Sequence, residues 1–337
     1  MIKILFAASK YDYCDPKLGL SNEYYFFYDT LKHMDGVEVI LFDWVTLTGK
    51  FGKAKMNDLL YQKVRKNQPD LVLFSIFGEE FEKDIIKKLS TIPGVTTINI
   101  FANDSWQYES FSKYWAPSFT WIATDEHSCI AKYKKDIDYA NVLPWHWGIN
   151  PRHWKNTNQP SKYDVSFVGQ AYGNRKGIIR GIQQKGVNIE PFGRGFTNGK
   201  VTFAEMITIF NTSKINLNIS LDSRYMEYAK FLPELIQPKT INLNHFQMKA
   251  RVFEVPGCGG FLLTTYGEAL KEYFKLGQEI ETYKDFDEMI EKIKFYLKNE
   301  SIRTKIAKAG YRKTLNKYTY QQILSNTFNS MGLYTST

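Results

Sequence analysis

Cysteine is scarce in this chain of 337 residues, which has only Cys14, Cys129 and Cys258. The three are far apart, odd in number and lack CxxC spacing. This pattern argues against a disulfide framework and against a zinc site. Free thiols are typical of a reducing compartment, so we expect a cytoplasmic protein.

Long hydrophobic runs are also missing. No stretch approaches the ~20 apolar residues that a membrane-spanning helix needs. The apolar run Ile2–Ala8 is too short for the hydrophobic region of a signal peptide, and no small-residue cleavage site follows it. We therefore expect no integral membrane segment and no secretory leader, while peripheral membrane association stays open.

Two common nucleotide-binding motifs are absent. No GxGxxG follows the first predicted strand, which counts against a dinucleotide-dependent oxidoreductase, and there is no Walker loop. The formal net charge of +9 is compatible with an anionic partner. Because basic and acidic residues alternate along the chain, the charge indicates solvated helix faces and no specific partner.

Short apolar runs alternate with helical periods along the whole sequence. The length favours two domains. Strands such as Ile2–Ala8, Val37–Asp43 and Thr96–Phe101 form a first series, and Asp164–Val168 opens a second. The polar stretch Asn150–Lys162 between them predicts a linker. The pattern predicts an α/β fold with two Rossmann-like, doubly wound lobes facing a central cleft, over residues 1–155 and 156–318.

A glycine-rich loop follows the strand Asp164–Val168. Gly169 allows close approach of a ligand to the backbone, and Arg175 and Lys176 add positive charge where a helix is predicted to begin. Helix N-terminal amides bind anions, so a diphosphate is a plausible ligand. An ordinary strand-to-helix turn with a surface basic pair explains the same residues.

A second segment combines charge and glycine. Arg251 and Glu254 lie three residues apart on a predicted helix, and Gly259 and Gly260 belong to the turn that ends it. A carboxylate in this position could accept hydrogen bonds from a ribose diol. A capped helix with a surface Arg–Glu pair is the structural alternative.

Residues 164–178, 213–220 and 249–320 resemble the CgeB-type spore-maturation glycosyltransferases of the GT-B group. The specific runs are RVFEVPGCGGFLLT and KIAKAGYRKTL followed by YTY. The first half of the chain is similar more loosely, through the predicted helix Asn22–Met34 and the run FANDSW.

The resemblance implies that the C-terminal lobe binds a UDP- or GDP-sugar. By this resemblance Glu254 binds the ribose hydroxyls and Arg175 contacts the diphosphate. The other donor-binding residues expected are Gly169, Lys176, Asn218, Lys249, Arg251, Gly259 and Gly260. The resemblance also implies that the last helix, within residues 319–337, crosses back onto the N-terminal lobe. No metal or other cofactor is expected, because helix-end amides and basic side chains neutralise the leaving diphosphate.

Retaining enzymes of the GT-B group often carry a second glutamate, which would fall at Phe246 here. Retention of anomeric configuration is therefore open. An inverting mechanism needs a general base in the N-terminal lobe. Asp104, after the strand Thr96–Phe101, is the first candidate and Asp12 the second. Helix N-capping is the alternative role for Asp104.

The sequence thus predicts a metal-independent hexosyltransferase that acts on an acceptor hydroxyl. A saccharide, a lipid-linked or a protein acceptor is expected. Transfer to a modified DNA base is an alternative, because the net charge is positive and some GT-B enzymes have this activity. A non-catalytic nucleotide-sugar-binding protein is the remaining alternative.

Overall fold

The computed structural model describes residues 1–12, 15–220 and 248–333. The chain forms two compact units. The first, here the N-terminal lobe, holds Met1–His146 and Tyr320–Thr337, and the second, the C-terminal lobe, holds Trp147–Thr319. The sequence had placed the two divisions after residues 155 and 318.

The N-terminal lobe is built on a six-stranded parallel sheet. Its strands are β1 (Ile2–Ala8), β2 (Val37–Asp43), β3 (Leu71–Phe74), β4 (Thr96–Phe101), β5 (Trp121–Thr124) and β6 (Val142–Pro144). The strand order is β2-β1-β3-β4-β5-β6. The chain moves outward from β1 to β2 and then returns to the other side of β1, so the order reverses between β1 and β3. In open α/β sheets, ligands bind outside the carboxyl ends of the strands at such a switch point.

Helices cover both faces of this sheet. They are α1 (Asp29–Lys32), α2 (Trp44–Phe51), α3 (Lys53–Asn67), α4 (Lys83–Ser90), α5 (Asp104–Gln107), α6 (Lys113–Trp115) and α7 (Ser128–Ile137). Met56, Leu60 and Val64 recur at four-residue spacing on α3 and are fully buried in the core. The helix expected over Asn22–Met34 is present: it runs without a break from Asn22 to Lys32 and includes a π-helical segment, Tyr24–Tyr28, directly before α1.

The C-terminal lobe has its own five-stranded parallel sheet. Its strands are β7 (Tyr163–Val168), β8 (Ile189–Phe192), β9 (Ser213–Asn218), β10 (Leu262–Thr265) and β11 (Glu281–Tyr283). The order is β11-β10-β9-β7-β8, so the switch point lies between β7 and β9. The described helices of this lobe are α8 (Arg175–Gln184), α9 (Phe203–Asn211), α10 (Arg251–Gly257), α11 (Phe286–Lys298) and α12 (Glu300–Lys317).

The stretch expected to be a linker is packed onto α9. The Trp154 ring is buried and lies edge-on to Phe203, with 4.8 Å between centroids. Asn211 donates from Nδ2 to the Lys155 carbonyl at 2.9 Å and accepts from the Thr157 amide at 2.7 Å. These contacts make residues 147–155 part of the C-terminal lobe. Burying the tryptophan side chain stabilises the fold by more than the conformational entropy lost by this polar segment costs.

The last helix, α13 (Tyr320–Ser330), packs within the N-terminal lobe. Tyr320 is fully buried, and its ring lies 5.0 Å from that of Phe26 and 5.2 Å from that of Phe27. The aromatic residues near the start of the chain thus form the surface on which its end docks.

The predicted fold class, two doubly wound α/β lobes with parallel sheets, is confirmed. Over the described ranges, no helix combines the length and apolar character needed to cross a membrane.

Candidate functional site

Arg175 sits at the switch point of the C-terminal sheet. It is the first residue of α8, and its guanidinium reaches back over the carboxyl ends of β7 and β9. Nη1 donates to the Gln170 carbonyl at 2.9 Å, and Nη2 donates to the Ile219 carbonyl at 2.7 Å. One side chain therefore ties together the two loops that border the place where ligands bind in this type of sheet.

The charge of Arg175 is not balanced by a carboxylate among the residues the structure describes. Burial, and to a smaller extent the nearby charge of Arg251, lowers its pKa to about 10. It is still protonated at neutral pH. Its Nε has no hydrogen-bond partner in the described ranges. A partly desolvated cation at the N-terminus of a ten-residue helix favours an anionic ligand.

Arg251 contacts the same strand end from α10. Its Nε donates to the Val168 carbonyl at 3.2 Å, and its guanidinium lies 5.2 Å from the Phe210 ring centroid. Nη1 also pairs with Oε2 of Glu254, one turn along the helix. The Glu254 side chain is buried, so Arg251 is the member of the pair that faces solvent. Two guanidinium groups therefore converge near the end of β7.

The remaining predicted donor residues lie either at the ends of strands β7 and β9 or on and near the helices α8 and α10. Gly169 lies at the end of β7, where an added Cβ would be 3.5 Å from Nη1 of Arg175. Asn218 ends β9, is buried and donates to Thr264 Oγ1 at 2.9 Å. Lys176 is exposed on α8, and Lys249 is half-buried two residues before α10. Phe246, the position of the second glutamate in retaining relatives, lies outside the described residues.

The two glycines after α10 shape the turn and its packing. Gly259 has a positive φ of 77°, and an added Cβ would lie 2.6 Å from Asn156 Nδ2. At Gly260 it would lie 2.7 Å from Asn216 Nδ2. The Gly260 amide donates to the Val255 carbonyl at 3.0 Å, closing the helix end.

One glycine near the site was not identified from the sequence. Gly193, directly after β8, has a φ of 135°, and an added Cβ would lie 2.0 Å from the Gly169 carbonyl oxygen. Gly193 thus lets the loop after β8 touch the loop after β7. The only sequence signal is its place at the end of a predicted strand.

The N-terminal lobe has a cavity of about 370 Å³ at the switch point of its own sheet. It lies beyond the carboxyl ends of β1 and β3. The described residues that line it are Ser9, Tyr11, Asp12, Ser21, Asn22, Glu23, Trp44, Ser75, Phe77 and Glu80.

The two predicted bases occupy different environments in this lobe. Asp12 lines the cavity. Asp104 is buried, and its Oδ2 accepts from the Tyr133 hydroxyl at 2.8 Å. Burial raises the pKa of the Asp104 carboxyl, against hydrogen bonding that lowers it. Asp104 is the first residue of α5, and Asn103 holds the N-cap position.

Glu23 is a cavity carboxyl that was missed from the sequence. Burial raises its pKa, and the nearby charge of Asp12 raises it further, while hydrogen bonding with Ser21 lowers it. Its only sequence signal is an acidic residue immediately before an aromatic run. That pattern does not show which side of the turn faces the sheet end.

Within residues 1–12, 15–220 and 248–333, no three His, Cys, Asp or Glu side chains are grouped so that they could hold a metal ion.

Residues 164–329 match the family model described as "Glycosyl transferase-like". A comparison with curated protein sequences gave no significant match. The fold is similar to three solved structures at low sequence identity. Sucrose-phosphate synthase from Thermosynechococcus elongatus has 8% identity and a TM-score of 0.62, covering 99% of this chain and 98% of that chain. HepE of Anabaena in complex with UDP-glucose has 10% identity and a TM-score of 0.61, covering 99% and 100%. A glycosyltransferase from Rickettsia africae has 12% identity and a TM-score of 0.59, covering 98% and 97%.

The family match covers the lobe that carries Arg175, Arg251 and Glu254, and the structural likeness covers both lobes. The comparisons thus show that residues 164–329 are similar to the glycosyl transferase-like family and that the two parallel-sheet lobes have the fold of the GT-B glycosyltransferases.

Proposed function

We propose that this protein transfers a sugar from a nucleoside-diphosphate sugar, most simply a UDP-sugar, to an acceptor hydroxyl. The observation that carries the proposal is Arg175, a partly desolvated cation held on two carbonyls at the switch point of the C-terminal sheet. Such a group is stabilised by an anion, and the leaving diphosphate is the anion that this reaction produces.

The diphosphate would lie against Arg175 and the first amides of α8. Because a guanidinium and helix amides already supply positive charge there, the transfer needs no metal to neutralise the leaving group. The proposal that the enzyme is metal-independent rests on this arrangement and on the family resemblance.

The ribose would be bound by Glu254, as the resemblance implies. In the structure this carboxylate is buried and paired with Arg251. A ribose diol can reach it only if the guanidinium shares the carboxylate or moves away. We therefore propose that Arg251 rearranges when the donor binds.

A UDP-sugar is favoured over other donors by the neighbour HepE, whose structure contains UDP-glucose. The CgeB-like subtype and a cytoplasmic location remain proposals supported by the sequence resemblance and the free thiols. A saccharide, lipid-linked or protein acceptor is proposed ahead of DNA, because no arginine-rich stripe stands out in the sequence.

Asp12 is favoured over Asp104 as the general base of an inverting reaction. A base must lie within hydrogen-bond reach of the acceptor hydroxyl. Asp12 lines a cavity large enough for a small ligand, whereas Asp104 lies in the interior with Tyr133 on one oxygen.

The donor proposal is tested by calorimetric titration of the whole protein with UDP, UDP-glucose, GDP and NAD. We expect UDP and UDP-glucose to bind and Arg175→Gln to weaken them at least about tenfold, because a hydrogen bond to a charged group contributes roughly 1.5–3 kcal/mol. Arg180→Gln, which removes an exposed arginine from the same helix, is the matched control. Binding of NAD without binding of UDP or UDP-glucose would refute the donor proposal. An equal loss of UDP affinity in Arg175→Gln and Arg180→Gln would refute the role of Arg175.

A further inference from the structure

Part of the backbone that holds Arg175 lies beyond the end of strand β9. Nη2 of Arg175 donates to the Ile219 carbonyl at 2.7 Å. The pairing of β9 with β10 ends at Asn218, opposite Thr264, and its pairing with β7 ends one residue earlier, at Leu217. The Ile219 carbonyl therefore lies past the paired part of the sheet, so its position depends on other contacts of this segment.

Two buried hydroxyl groups hold the segment on both sides of Ile219. The Tyr283 hydroxyl, at the end of β11, donates to the Asn218 carbonyl at 3.0 Å. The Thr265 hydroxyl, at the end of β10, donates to the Tyr283 oxygen at 3.1 Å and accepts from the Ser220 amide at 3.1 Å. The amide, the two hydroxyls and the carbonyl form one continuous chain of hydrogen bonds. Hydrogen bonds joined in this way strengthen one another in a low-dielectric interior.

The Tyr283 phenol acts from inside the lobe. Its side chain is 3% exposed, and Thr265 is fully buried. Burial raises the pKa of the phenol, while the hydrogen bond with Thr265 and the nearby charge of Arg175 lower it by less. The phenol therefore keeps its proton at neutral pH and remains a donor to the Asn218 carbonyl. Because it is buried, it reaches the donor site only through the backbone that it holds.

We propose that Tyr283 is a positioning residue of the donor site. Through Asn218 and the adjacent Ile219 carbonyl, its hydroxyl keeps the Arg175 guanidinium in the orientation that the diphosphate requires. This inference rests on the proposed function, since it assigns a further residue to the same donor site. A guanidinium that is already ordered loses less side-chain entropy when the anion binds, so binding is tighter.

The test is calorimetric titration of the whole protein with UDP and UDP-glucose, in the wild type, Tyr283→Phe, Arg175→Gln and the double variant. We expect Tyr283→Phe to weaken UDP binding about three- to tenfold, because the Arg175 side chain then has to be ordered during binding. In the Arg175→Gln background the same substitution should change the affinity by less than about twofold. A loss caused only by general destabilisation would be the same in both backgrounds.

Tyr296→Phe is the matched control. It removes another buried phenol from the same lobe, and the hydroxyl of Tyr296 donates to Glu281, at the opposite end of β11 from Tyr283. The UDP affinity of this variant should equal that of the wild type.

Substitution of Thr265 tests the same chain of hydrogen bonds from its other hydroxyl, and it keeps the test decisive if Tyr283→Phe does not fold. Thr265→Val removes the hydroxyl and should weaken UDP binding about as much as Tyr283→Phe, whereas Thr265→Ser retains it and should bind as the wild type does. Unchanged UDP affinity in Tyr283→Phe, equal losses in both Arg175 backgrounds, or an equal loss in Tyr296→Phe would overturn the inference and leave the donor proposal intact. A wild-type protein that binds neither UDP nor UDP-glucose would overturn both.

Discussion

Arg251 and Glu254 form an ion pair one helical turn apart, with the carboxylate buried and the guanidinium partly exposed. The same guanidinium donates to the Val168 carbonyl. The ion pair with Arg251 therefore offsets the desolvation cost of the buried Glu254 carboxylate. Arg251 also links the start of α10 to the end of β7.

Arg251→Ala should destabilise the protein by about 3 kcal/mol, the lower end for breaking a buried pair, because the Glu254 carboxylate is left without its partner. The midpoint of the urea transition measures the loss. Replacing both residues, Arg251→Met with Glu254→Leu, should recover much of it, since no buried charge remains. Lys134→Ala breaks an exposed pair with Asp138 and should leave the midpoint unchanged. A double variant as unstable as Arg251→Ala would contradict the account.

Gly193→Ala should destabilise the C-terminal lobe by about 1–3 kcal/mol. The new methyl group would overlap the Gly169 carbonyl oxygen at 2.0 Å, so the loops after β7 and β8 must separate. Because the Gly169 loop leads to Arg175, UDP affinity should fall as well. Thermal melting with and without UDP measures both effects.

Gly186→Ala separates backbone strain from this clash. Gly186 also has a positive φ, of 78°, but an added Cβ there meets nothing within 4 Å. The Gly186→Ala substitution should lower the free energy of unfolding by about 1 kcal/mol and leave UDP affinity unchanged. If Gly193→Ala and Gly186→Ala weaken UDP binding equally, contact between the loops after β7 and β8 is not what positions Arg175.

The strands of both sheets could be predicted well because buried parallel strands are continuous apolar runs. Ile2–Ala8, Val37–Asp43 and Thr96–Phe101 have the predicted bounds. The π-helical turn Tyr24–Tyr28 was not distinguishable from an α-helix, since its aromatic residues satisfy both periods. The units divide at Trp147, ahead of the linker that polar composition predicts, because burial of Trp154 depends on its packing against α9, far along the chain.

The sequence named candidate site residues, but it did not show most of the contacts that hold them. Arg175, Arg251 and Glu254 were predicted to bind the donor, and the structure places Arg175 and Arg251 near the end of β7 with Glu254 paired to Arg251. The Arg251–Glu254 pair follows from their three-residue spacing on one helix, whereas the contacts of Arg175 with the Gln170 and Ile219 carbonyls depend on the strand order β9-β7-β8, which spacing does not reveal. Glu23 was missed for the same reason, because its place depends on the switch between β1 and β3.

Asp12→Asn and Asp104→Asn should separate the two candidate bases. If Asp12 is the base, its asparagine variant should lose about 10²–10⁴-fold in kcat, the usual contribution of general base catalysis. Asp104→Asn should keep its activity, because an amide oxygen still accepts from Tyr133. Initial rates of UDP release with an acceptor glycoside provide the measurement. Loss of activity in Asp104→Asn with unchanged melting temperature would instead make Asp104 the base.

The raised pKa of the Glu23 carboxyl predicts that the free energy of unfolding falls as the pH rises. Its folded-state pKa is raised above the ordinary value of 4.5, first by burial and then by Asp12. Above pH 4.5 the unfolded chain releases this proton while the folded protein still holds it, so the free energy of unfolding decreases until the folded pKa is passed. Asp104, also raised, contributes in the same direction above its ordinary value of 3.8.

Glu23→Gln removes the part of this decrease that belongs to Glu23. At pH 4 the variant and the wild type should have similar urea midpoints, because the wild-type carboxyl is protonated in both states. At pH 7 the variant should be the more stable, and the difference should grow above pH 4.5 until the folded-state pKa of Glu23 is passed. Asp58→Asn, which changes an exposed carboxylate on α3, should show no such growth. A wild-type midpoint that instead gains on Glu23→Gln as the pH rises would mean that the folded protein stabilises the charged form of Glu23, and the cavity would then be more polar than its lining indicates.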